Sequence, residues 1–133
     1  MGAWDFGPFD NDDAADWLYD LEESSDTSKL AAALRAVTDS GEEYMEAPDC
    51  ASALAAVEII AALHGHPLPK LPDNAEAWIA KHHGLDVSSL LPAAQAAILR
   101  IRTESELKEL WNESDDASKW YATLDDVTTR LEG

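Results

Sequence analysis

A single cysteine, Cys50, leaves no partner for an intramolecular disulfide, so nothing in the chain points to an oxidising compartment. Cations are scarce. Nine Lys and Arg stand against 27 Asp and Glu, a formal net charge of −18 with His neutral. A nucleic-acid binder needs a cationic footprint to displace counterions, and this chain has none. An anionic membrane surface is disfavoured for the same reason. Long hydrophobic runs are also missing: the longest, Ala53 to Leu63, is too short to cross a bilayer and contains Glu58. No basic start leads into an apolar segment of signal-peptide type, and Phe6 stands where N-myristoylation wants Ser or Thr. The expectation is a cytoplasmic protein with no membrane and no nucleic-acid partner.

Catalytic signatures are absent too. There is no Gly-x-Ser-x-Gly elbow, no phosphate-cradling Gly-Lys-Ser/Thr loop, no dinucleotide fingerprint and no His-Glu-x-x-His. No cofactor and no metal are expected. A convincing β alternation and internal repeats are likewise lacking.

What is present is a folding sequence. At 133 residues it suits one domain, and 46% apolar residues with five Trp suffice for a core. The first 21 residues stand out: Trp4, Phe6, Phe9 and Trp17 are set among Gly2, Gly7 and Pro8, then joined by Asp10, Asp12, Asp13, Asp16 and Asp20. A loose terminus this aromatic would be an exposed apolar patch, so residues 2–9 are expected to dock as a plug. Asp10 is expected to cap a helix carrying Ala14, Trp17, Leu18 and Leu21 on one face.

Further helices follow by the same signals. Ser28 is expected to cap the second, about Lys29 to Asp39, with Gly41 after it. The third, about Pro48 to His64, is apolar nearly all round, as a buried central helix must be, and ends at Gly65 and Pro67. Pro67 to Asn74 is too proline-rich for regular structure. Asp73 or Asn74 heads a short helix through Trp78, and Ser88 or Ser89 heads one reaching Ile101. Thr103 and Glu106 have capping-box spacing before Leu107, Leu110 and Trp111, and a last helix runs from about Asp116 to Leu131. The reading is all-α: one compact domain, residues 1–133, of six or seven helices around the Ala-rich third.

Few residues could carry chemistry. Asp10, Asp12, Asp13 and Asp16 are hard oxygen ligands, but a calcium loop counted from Asp10 would need Gly and Glu where Ala15 and Leu21 stand. They read instead as an acidic helix start. His64 and His66, like His82 and His83, fall at helix ends, where a cationic ring favours the dipole. Cys50, at the start of the most buried helix, reads as an inert thiol. Glu58 is the exception. It is the sole charge in the apolar run Ala53 to Leu63 of that helix, and a buried carboxylate must be hydrogen-bonded or paired. The expected role is an anchor for residues 2–9, through backbone N–H groups or an indole, or a pair with Arg35 or Arg100. The competing role is a general base of raised pKa.

Met1, Gly2, Ala3, Trp4, Gly7, Phe9, Asp10, Asn11 and Asp12, followed by Ala14, Asp16 and Leu21, resemble the opening of an uncharacterised bacterial family, domain of unknown function 4259. Asp5 stands where that family usually has Gly. Tyr44 to Gly65, Glu58 included, is similar to its middle helix, and Trp111 and Trp120 fit its C-terminal region. The resemblance implies kinship and no established activity.

Two functions fit these observations. One is a small acidic, non-catalytic interaction module of inhibitor or immunity type that binds a basic protein. The other is a carboxylate-based metal enzyme or cation binder using Asp12, Asp16 or Glu58 with a histidine. The residues to watch are Trp4, Asp10, Asn11, Asp12, Asp16, Trp17 and Glu58. Oligomeric state is left open by the sequence.

Overall fold

The computed structural model describes residues 8–9, 11–39 and 45–132. They form seven α-helices and one short 3-10 turn, with no strand among them. The helices are α1 (Asp12–Glu22), α2 (Ser28–Thr38), α3 (Ala47–Leu63), α4 (Asp73–Lys81), α5 (Leu91–Glu104), α6 (Glu106–Asn112) and α7 (Ala117–Glu132); the turn is Ser88–Leu90. The all-α single-domain expectation holds. Trp4, Asp10, the rest of the plug through Gly7, and the connector of residues 40–44 lie outside the described residues.

α3 is the axis of the molecule. It touches each of the other six helices, and nearly every side chain from Cys50 to Ala62 is buried. Its alanines on several faces let neighbours approach closely, while Leu54, Val57, Ile59 and Ile60 fill the space between them. The other helices are one-sided. α7, for example, buries Trp120, Leu124, Val127 and Leu131 and leaves most of its polar residues outside. Trp120 stacks on Trp111 of α6, ring centroids 6.3 Å apart and planes within 11°.

The helix ends show where local signals were misread. Asn11, not Asp10, caps α1: its side chain accepts from the Ala14 N–H at 2.8 Å. Ser28 is the first helical residue of α2 rather than its cap, and Asp26 accepts from both its N–H and its hydroxyl. α4 follows Pro72, with neither Asp73 nor Asn74 as cap. The expected cap Thr103 is still inside α5, where it bonds back to the Leu99 carbonyl. Buried Ser105 caps α6 instead, accepting from Lys108 N–H while donating to the Ile101 carbonyl.

Glu106 then works at long range. Its carboxylate accepts from Ala47 N–H at 2.7 Å, so α6 supplies a cap to the start of α3. Its own N–H donates to the Met45 carbonyl at 3.0 Å, which closes the clasp.

The other end of α3 is sealed by Gly65, whose φ of +102° suits a residue without Cβ. Gly65 N–H donates to the Ala62 carbonyl and His66 N–H to that of Ala61. This left-handed cap turns the chain so that the His66 carbonyl faces α7.

Candidate functional site

The most constrained charge in the molecule sits where α3, its glycine cap and α7 meet. Glu58 is 3% exposed, midway along α3. The buried face of α7 ends in Leu131, which places Arg130 beside it, half-buried over Glu58. Arg130 grips the carboxylate with both arms, Nη1 to Oε1 at 2.9 Å and Nη2 to Oε2 at 3.0 Å. The same guanidinium donates Nη1 to the His66 carbonyl at 3.1 Å and meets Asp126, one turn earlier on α7, at 2.8 Å. Burial pushes the Glu58 carboxyl above its ordinary range; Arg130 pulls it back, and nearby Asp126 adds to the rise. Charge, fork and carbonyl thus satisfy one another.

Beside this node lies an open groove of about 350 Å³. Its walls are Pro8, Leu68 of the proline-rich connector, and Ala122, Thr123 and Lys119 of α7; Glu58 and Asp126 edge it. The Pro8–Phe9 turn enters here, and Phe9 packs on the core.

The carboxylates of α1 are arranged quite differently. Asp12 and Asp16, with Glu23 just past the helix end, are exposed and share a helical stripe with Tyr19, which is 67% exposed. Trp17 leans the other way, partly buried against the core, and with Asp20 and Asp49 borders a shallow groove of about 280 Å³ over α2 and α3. Among the described residues, no three His, Cys, Asp or Glu converge as a metal site would require.

The family model for domain of unknown function 4259 matches residues 2–123. The chain belongs to the DUF4259 family. No curated protein and no solved structure matches it.

In this DUF4259 member the residues singled out in the sequence divide into two groups. Glu58 and Pro8 of the aromatic segment border one groove, whereas Asp12, Asp16 and Trp17 belong to α1 and Asn11 is its cap. Asn11 is a buried cap with a local partner. Trp4 and Asp10 lie outside the described residues.

The partners expected for Glu58 need correction: Arg35 is exposed on α2, and Arg100 donates to the Val37 carbonyl and pairs with Glu104. Arg130 was missed because 72 residues separate it from Glu58. One local clue existed, the i,i+4 spacing of Asp126 and Arg130 on the rim of an otherwise apolar stripe. Exposed Tyr19 was missed as well. Read one residue beyond Leu18, it falls off the apolar face and into the acidic stripe.

The histidines have backbone partners or ring neighbours. His82 Nδ1 lies 2.9 Å from the Trp78 carbonyl and His83 Nδ1 3.0 Å from that of Ala80; His64 and His66 face each other edge to face. Cys50 is buried, and burial pushes its thiol up to about 11, with Ser105 hydrogen bonding opposing the rise. No helix among the described residues is long and apolar enough to cross a membrane.

Proposed function

We propose that this protein is a small acidic, non-catalytic interaction module, of inhibitor or immunity type, that binds a basic protein in the bacterial cytoplasm. The observation that carries this reading is Tyr19, a large aromatic ring two-thirds exposed on α1 between Asp16 and Glu23. Tyr is enriched at interface centres because it offers a rigid apolar face with a polar tip. Flanked by carboxylates, that face suits the guanidinium or ammonium groups of a partner, which stack on the ring while pairing with the acids.

The charge balance supports the same reading. Several of the nine cations are already engaged internally: Arg100 with Glu104, Arg102 with Asp125, Lys119 with Asp116, and Arg130 with Glu58 and Asp126. The outward field is therefore strongly negative, which speeds encounter with a cationic surface and repels acidic proteins. Glu58, the residue best suited to acid–base chemistry by burial, is held in a fork by Arg130.

The experiment is capture of the partner from a native lysate at low salt, followed by reconstitution with purified components. Calorimetry at rising ionic strength should show affinity falling steeply. An affinity indifferent to salt would overturn the reading.

A further inference from the structure

α1 and α2 both pack on α3, and the groove of about 280 Å³ is lined by all three. On the α2 side its wall is Ala32 and Ala36, exposed alanines one helical turn apart, whose short side chains leave the space open. From α1 come the partly buried indole of Trp17 and the exposed carboxylate of Asp20. α3 adds Asp49, in its first turn, and Ser52. Lys29 also borders the groove; two carboxylates against one ammonium leave it net negative.

Each part of this lining matches a different part of one side chain. An arginine is a hydrocarbon stem ending in a flat, weakly hydrated cation. The stem suits the alanine wall, the flat guanidinium suits an indole face, and its forked N–H groups suit carboxylates. A lysine ammonium brings the same charge without the plane or the fork. Position agrees with chemistry. Asp20 is one turn from Asp16, so the groove adjoins the acidic stripe that carries Tyr19.

We infer that this groove takes an arginine side chain of the basic partner, its guanidinium laid on Trp17 and its charge met by Asp20 and Asp49. The inference rests on the basic-partner reading and deepens it. The Tyr19 stripe draws a cationic surface in, and the groove selects arginine over lysine.

The test uses the full chain, ¹⁵N-labelled, with hexa-arginine and hexa-lysine peptides as probes at low and high salt. Hexa-arginine should shift the Trp17 indole and Ser52 amide resonances saturably at low salt. It should bind at least about threefold more tightly than hexa-lysine. Ala32→Leu, Ala36→Leu fills the groove at exposed helix positions and changes no charge. It should abolish both shifts and bring hexa-arginine down to the affinity of hexa-lysine, with helicity unchanged. Asp49→Asn, a second and nearly isosteric variant, should reduce the arginine preference without altering the fold.

Equal affinity for the two peptides would overturn the inference. So would an arginine preference that survives in the folded double leucine variant, or in Asp49→Asn if the leucines unfold the chain. Shifts around Tyr19 with the groove unmoved would overturn the groove alone and leave the basic-partner reading standing. No salt-sensitive shift anywhere would overturn both.

Discussion

Arg130 holds Glu58 in a two-armed grip across 72 residues of sequence, and both groups lie in the low-exposure junction of α3 and α7. Removing one partner of such a pair leaves the other charge stranded. Arg130→Met should cost about 3–5 kcal/mol at neutral pH. Glu58→Gln should cost less, since Asp126 and the His66 carbonyl still hold Arg130. Urea unfolding of both variants would measure the difference; equal, small losses would mean that the grip is not formed.

The same pair makes a pH prediction. Glu58 titrates above its ordinary range in the folded protein. A group raised in this way contributes its full stability below the unfolded glutamate pKa, and loses it as pH rises through the folded value. Without Arg130 nothing opposes the burial, so the effect should grow. Arg130→Met should therefore recover part of its lost stability on mild acidification, and the Arg130→Met, Glu58→Gln double variant should not. Parallel pH profiles for the two would contradict the account.

Helix caps offer cleaner local tests. Asn11→Ala removes the acceptor for Ala14 N–H and should lower stability by about 1 kcal/mol, whereas Asn11→Asp should keep most of it. Glu106→Ala uncaps α3 from a distance and should cost a similar amount. Thermal melts of the three variants settle both points, because a cap at Asp10 or a solvent-facing Glu106 would leave the alanine variants near wild type.

Cys50 should be silent towards thiol reagents. Its thiol is buried and titrates near 11, so little thiolate exists at neutral or mildly alkaline pH. Labelling should occur only as fast as the protein opens, and should accelerate with denaturant. Rapid modification of the native protein would show that the start of α3 is open to solvent and Cys50 is not buried.

These tests also show how far the sequence could be read. The apolar girth of α3 announced the centre of the fold, because a helix buried on all sides has no polar stripe to hide. Amphipathic spacing did the same for α1 and α7. Caps were harder: Asn11 and Asp10 are both good acceptors, as are Ser105 and Thr103, and only the path of the chain decides between neighbours. Glu106 was visible as a capping residue, yet it serves the far end of the core at Ala47. Arg130 was hidden for the same reason, since a pair closed by tertiary packing leaves no local period. That Glu58 needed a partner was legible from desolvation alone; which partner was not. Tyr19 was legible from the same spacing, since it falls between Leu18 and Leu21 of the apolar face and on the opposite, acidic side.

The central claim is that recognition belongs to the acidic, aromatic stripe of α1, while Glu58 serves the architecture. The most direct measurement compares, on the reconstituted complex, the affinity of Tyr19→Ala and of Asp16→Asn, Glu23→Gln with that of folded Glu58→Gln. The α1 variants should bind at least about tenfold more weakly, a loss of roughly 1.4 kcal/mol or more, with a shallower salt dependence for the charge variant. Glu58→Gln should bind like the parent protein. Full affinity in the α1 variants, with binding lost on Glu58→Gln, would contradict the claim.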